Sequence, residues 1–213
     1  MEIYIWNQST LITDVDGQAA TNAIQKQVAN DFLPAWNLGA VLHYVVRGMD
    51  SPAGSFSIRL VDSITIENAL GYHETTDGFV GVKTCADDGV SWSSCLSHEV
   101  LEAIADIDCV RCYQVESAVV ALEVCDAPEG FTYWIDGVEV SDFCLPSYFT
   151  LGHSPWSHTG RLSGPWPTLG PGGYYSAAEI GDWQQTNAMK IRASKRHAGL
   201  GSRRSRRSHK QVP

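Results

Sequence analysis

The sequence predicts an α+β chain with one main domain, residues 1–189, followed by a basic extension, residues 190–213. Three observations carry this. Short apolar or alternating runs recur between turn signals, as strands require. Two stretches instead have the 3.6-residue period and the flanking caps of helices. Charge is also divided along the chain. The formal net charge is −9, yet nine of the 15 Lys and Arg residues, and no acid, fall in residues 190–213. That leaves six basic and 24 acidic residues, a formal −18, in residues 1–189.

The elements follow in order. Residues 2–6 (EIYIW) read as a first strand. Residues 18–32 read as a helix with Ala19, Ile24, Val28 and Phe32 on its buried side, Asp16 as its N-cap and Pro34 closing the region. The preceding DVDG lacks the later ligands of a calcium loop and is a turn. Residues 40–47 and 57–62 alternate as strands, and His43 inside the first is a packed strand residue. ALGYHE (69–74) brings His73 close to the helix that follows, and GFVGVKTCA reads as another strand. After that helix, residues 118–125 form a β run, and YWIDGVEVSDF is a hairpin turning at Asp136-Gly137. Residues 151–173, rich in Gly, Pro, Ser and Trp, form a long ordered loop, with YYSAA and DWQQTNA as a last hairpin.

The central helix, SHEVLEAIAD (97–106), contains the chemistry. Viewed down a helix axis, Glu102 lies roughly 40°, Asp106 roughly 80° and Glu99 roughly 100° round from His98. The four share one stripe, and Val100, Leu101, Ala103, Ile104 and Ala105 fill the rest of the girth. A helix this apolar belongs in a core. Its unpaired acids then need a water-filled cleft or a bound cation.

His98-Glu99-x-x-Glu102 is a variant of H-E-x-x-H. In that motif the residues at i and i+4 hold one metal, and the glutamate at i+1 takes a proton from the metal-bound water. A glutamate in place of the second histidine makes the site harder and more anionic. Zinc leads, with calcium, magnesium and manganese as alternatives. For a further ligand Asp126 comes first and Glu123 second. Asp106 is one turn along the stripe, for a ligand or supporting role. Asp108 falls ten residues after His98. Turn chemistry explains Asp126 and Glu129 about as well as ligation does.

The six cysteines read mainly as buried free thiols, with a Cys109/Cys112 link or structural metal as the lesser option. Met1-Glu2 followed by a strand is not a signal-peptide start, and no apolar run is long enough to span a bilayer. The expected location is a cytoplasm or a particle assembled there.

The chain resembles a poorly characterised family of short zincin-like, metallopeptidase-type proteins of bacteria and their phages. The resemblance rests on NQST, the Gln25/Gln27 helix running to Pro34-Ala-Trp36, ALGYHE, LSHEVLEAIAD, LEVCDAPEG, IDGVEVSDFCLPSYF, PTLGPGGYYS and GSRRSRRS, and so covers nearly the whole sequence. It implies a zincin-like α+β fold, a mixed sheet packed on helices with the H-E-x-x-E helix in the core. It implies His98 and Glu102 as metal ligands, Glu99 as base, and Asp106 and Asp126 as further acidic groups. The chain departs by Ile107 where proline is expected and by its extra cysteines.

Three functions are therefore expected in descending order. The first is a metal-dependent hydrolase, peptidase-like, acting on a peptide. The second is a non-enzymatic virion protein whose tail docks on a neighbouring subunit. The last is a nucleic-acid binder, disfavoured because the acidic body repels phosphate and no aromatics interleave with the basic residues.

Overall fold

A computed structural model describes residues 1–66, 69–179 and 182–187. The basic extension lies outside the described residues. The fold is mixed α/β, built on a mixed sheet with few helices.

Five strands form the main sheet: β1 (Glu2–Asn7), β2 (Val41–Val45), β3 (Ser57–Val61), β4 (Gly71–His73) and β5 (Asp77–Gly81), in the order β2-β1-β3-β5-β4. The first four in that order pair in parallel; β4 runs antiparallel to β5. Ile3, Ile5, Ile58, Leu60 and Val80 alternate with less buried residues and form the core face. On the other residues of the same strands, Tyr4 stacks on His43, Tyr72 stacks on Phe79, and Arg59 lies over both Trp6 and Phe79. His43 is thus a strand residue packed on an aromatic neighbour.

Helix α1 (Asp14–Gln27) connects β1 to β2. It starts earlier than the sequence suggests. Thr13 is the N-cap, and its hydroxyl accepts from the Asp16 amide while donating to the Asp16 carboxylate. Asp16 is therefore the reciprocal partner at the third helical position, not the cap. The shift turns Ala19 outward and buries Ala20, Ala23, Ile24 and Gln27. Pro34 does not close the region. A π-helical turn (Val28–Phe32) leads into α2 (Leu33–Trp36), where Pro34 occupies a first-turn position. Asn37, with φ 52°, ends the helix.

GFVGVKTCA divides into β5 and a short helix, α3 (Val82–Asp87). Helix α4 (Trp92–Asp106) begins at Ser91, earlier than Ser97. Leu96, Val100, Leu101, Ala103 and Ala105 are buried, as expected of a core helix. The helix packs against β3, β4 and β5, and against the second strand of the hairpin β8 (Thr132–Ile135) and β9 (Val138–Ser141). That hairpin turns at Asp136 (φ 50°) and Gly137 (φ 78°), the left-handed pair a two-residue turn demands.

A four-stranded antiparallel sheet, in the order β11-β10-β7-β6, joins β6 (Cys112–Val115), β7 (Ala118–Ala121), β10 (Tyr174–Glu179) and β11 (Asp182–Asn187). The predicted run 118–125 is a strand only to Ala121; residues 124–130 are turns. Between α5 (Pro146–Phe149) and β10 the chain is a long loop without further strands or helices. Trp156 is pinned by its indole N–H to Gly152 O at 2.8 Å. No disulfide joins the six cysteines; Cys85, Cys95, Cys125 and Cys144 are buried, and Cys112 is exposed. Among the described residues no helix is long and apolar enough to cross a membrane.

Gln27 locks α1 to α4 and β9. Its amide donates to Ser141 O (2.8 Å) and to the Tyr133 hydroxyl (3.1 Å), and its carbonyl accepts from Ser97 Oγ (2.7 Å). Ser97 Oγ accepts in turn from the Ser141 amide at 3.1 Å. Each buried group left without its partner costs about 1–3 kcal/mol. Gln27→Ala should lower the unfolding free energy by about 3 kcal/mol in a urea titration. A loss below about 1 kcal/mol would show that the network does not join these elements.

Candidate metal centre

The spacing of His98 and Glu102 puts both side chains over the same face of α4. His98 Nε2 lies 3.5 Å from Glu102 Oε2 and 3.3 Å from Asp126 Oδ1. One nitrogen and two carboxylate oxygens thus converge, from α4 and from the turn after β7, within 4.8 Å of one another. All three side chains are removed from water, at 13%, 6% and 3% exposure.

Asp126 is brought there by backbone contacts. Tyr174 N donates to Asp126 O at 3.1 Å, Gly170 N to Ala127 O at 2.9 Å, and Gly130 N to Pro171 O at 2.9 Å. The approach is so close that a Cβ on Gly173 would stand 2.1 Å from Ala127 O. The PTLGPGGYYS segment therefore clamps LEVCDAPEG against the helix, which explains its glycines. Glu102 is fixed separately, its Oε1 accepting from the Cys125 amide at 3.3 Å.

Charge at this place is out of balance. Burial, then the charges of Glu102 and Glu123, push the Asp126 carboxyl well above the usual range. Burial alone would lower the His98 imidazole, but Glu102, Asp126 and Glu99 outweigh it and hold the imidazole well above its ordinary pKa. A protonated His98 is one solution, but Nε2 has a single N–H to offer two carboxylates. Asp126 Oδ1 is buried and has no hydrogen-bond partner; its approach to His98 is short but misdirected. A divalent ion fits better. A tetrahedral ion with bonds of about 2.0–2.1 Å separates its ligands by roughly 3.3–3.4 Å, and the two His98 distances match that edge.

Glu99 points elsewhere. Its Oε2 lies 3.1 Å from Nδ1 of His73, which is fully buried on β4. Gly71, also on β4, leaves room for it: a Cβ there would meet Glu99 Oε1 at 2.9 Å. His73, Glu99 and Glu102 form a second converging group with ligand atoms within 4.8 Å. A half-open cleft of about 60 Å³ reaches His98 and Glu99, bordered by Leu70, Gly71, Glu129 and Tyr174. That holds a few waters. Burial and the charges of Asp126 and Glu129 push the Tyr174 phenol well up, so it stays protonated.

The remaining sequence candidates are not drawn into either group. Asp106 faces the end of α4, accepting from Val110 N (3.1 Å) and Arg111 N (2.8 Å). Asp108 is exposed. Glu123 is buried and acts on the centre by charge, raising Asp126. Tyr174 was not indicated by the sequence; the only signal was the glycine run before it, which marks close backbone approach.

Comparison with family models, with curated proteins and with solved structures finds no match. The class of protein that the fold and site define is a mixed α/β chain with buried His/Glu/Asp groups able to hold a metal ion.

The two glycines should respond differently to alanine. At Gly173 a Cβ would stand 2.1 Å from backbone, so Gly173→Ala should cost about 3 kcal/mol or more; at Gly71 the nearest atom is the Glu99 carboxylate at 2.9 Å, with Phe79 O at 3.2 Å, and the cost should be lower, about 1–2 kcal/mol. Urea unfolding of both variants checks the order. Equal losses would show that the 126–131 and 170–174 segments are not clamped.

Proposed function

We propose that the chain is a metal-dependent hydrolase of peptidase type, with a divalent ion, zinc in first place, on His98, Glu102 and Asp126. The observation that carries the reading is the convergence of these three donors, together with the cleft that His98 and its chain neighbour Glu99 both line. The zincin-like reading of the fold rests on the same feature, an H-E-x-x-E helix packed against a mixed sheet that ends in an antiparallel strand.

Peptide is the substrate class that the cleft's wall favours. Ala69, Leu70 and Gly71 line it, and β4 is the last strand of its sheet among the described residues. An extended peptide can add to such an edge through its main chain. A zinc ion held there would supply Lewis acidity and lower the pKa of a water. Glu99, held by His73, would be the base for the attacking water and would return the proton to the leaving amine. Tyr174, kept protonated, donates to the oxygen on which charge develops. His98, Glu102 and Asp126 hold position, and the clamp on Asp126 keeps the centre from loosening.

Elemental analysis of the purified protein beside three variants tests this. Wild type should contain near-stoichiometric zinc, and His98→Ala and Asp126→Asn should lose it. Glu99→Gln should retain that zinc and lose at least about 100-fold in hydrolysis of a peptide library, the typical worth of a general base. Equal activity in Glu99→Gln would sink the hydrolase reading. Calcium or magnesium lost in His98→Ala would point to a structural cation instead, as a non-enzymatic particle protein would need.

A further inference from the structure

The His73–Glu99 pair does not belong to the first set of donors, yet its ligand atoms meet Glu102, which does. Each group has one imidazole, one carboxylate of its own, and Glu102 in common. A carboxylate has two oxygens and can serve two cations. Two-metal sites hold their ions about 3.5–4 Å apart by such sharing.

Charge supports a second cation. Glu99, Glu102 and Asp126 are all buried, and Glu123 adds a further buried acid. One divalent ion leaves the three carboxylates at the two groups with a net negative charge. No Lys or Arg is among the described residues lining the cleft. Access is available too, since Glu99 lines the cleft while His73 closes the group from behind, its side chain 1% exposed. Gly71 supplies the space in which the Glu99 carboxylate sits; any side chain there would press on it.

We propose that His73, Glu99 and Glu102 form a second, weaker site for a divalent cation, and that filling it stops hydrolysis. The second part rests on the hydrolase reading above, because the effect on rate follows from Glu99. A carboxylate whose lone pairs hold a cation cannot accept a proton, so a second zinc removes the base. Hydrolysis should therefore peak near one zinc per chain and fall as the second site fills.

Equilibrium dialysis of the full chain against zinc is the test, with circular dichroism to check that each variant is folded. Wild type should bind two zinc ions per chain, the second at least about tenfold more weakly than the first. His73→Gln, changed on β4, and Glu99→Gln, changed on α4, should each lose only the second ion. If one variant fails to fold, the other decides. The activity of His73→Gln, lower than wild type because Glu99 loses its partner, should be flat from one to ten equivalents of zinc, whereas that of wild type should fall. Saturation of wild type at one zinc overturns the proposal, as does a second ion bound equally by both variants. If that single ion is lost in Asp126→Asn and the protein still cleaves peptide, the hydrolase reading stands and only this inference fails. If wild type binds no zinc, both fail.

Discussion

The removal of three carboxylates from water around one helix is the constraint on which the rest depends. Glu99, Glu102 and Asp126 are all buried, and each lies against an imidazole. Isolated carboxylates in such surroundings are very costly. Two imidazoles, His73 and His98, stand against them, and the raised pKa of Asp126 is the sign that this is not enough. A fold maintains such an arrangement only if strong packing and hydrogen bonding surround it.

That support comes from several directions. The apolar girth of α4 packs into the main core. The Gln27, Ser97 and Ser141 network ties the same helix to α1 and β9 through fully buried polar atoms. Asp126 is held by main-chain hydrogen bonds that only glycine permits at position 173. Asp126 and Glu102 are thus each fixed by a contact outside the donor set, the first through its backbone and the second through the Cys125 amide. A metal site needs this kind of outer support to keep its geometry.

Much of this was legible in the sequence, and the failures have physical causes. The core helix, the Asp136-Gly137 hairpin and the early strands have strong periods or turn signals that tertiary contacts did not override. The start of α1 was misplaced because Thr13 and Asp16 are both good caps, and their reciprocal bonding decides between them. GFVGVKTCA has no breaker in its second half to show where strand becomes helix. Asp106 lies on the polar stripe by angle, but it stands at the helix end, where free backbone amides of the next turn take its carboxylate. Asp126 could be ranked first only as one acid of a cluster. The contact of Asp126 with Tyr174 crosses 48 residues and leaves no local pattern.

The donor set also bears on which ion the centre suits. Calcium takes six to eight oxygens, and the first group offers two carboxylates and an imidazole. Magnesium seeks an octahedral shell of oxygens, and the first group places a nitrogen among its donors. Imidazole suits zinc and its neighbours in the transition series, and the two distances from His98, 3.5 and 3.3 Å, are compatible with a tetrahedral edge. Zinc with two carboxylate ligands, however, makes its water less acidic than zinc held by neutral imidazoles, because the added negative charge weakens its pull. On the proposed hydrolase reading, removal of that proton would then depend more heavily on Glu99. On that reading the His73 contact that orients Glu99 would be as consequential for the chemistry as the ligands themselves, because it fixes the base relative to the two donors, His98 and Glu102, on the same helix.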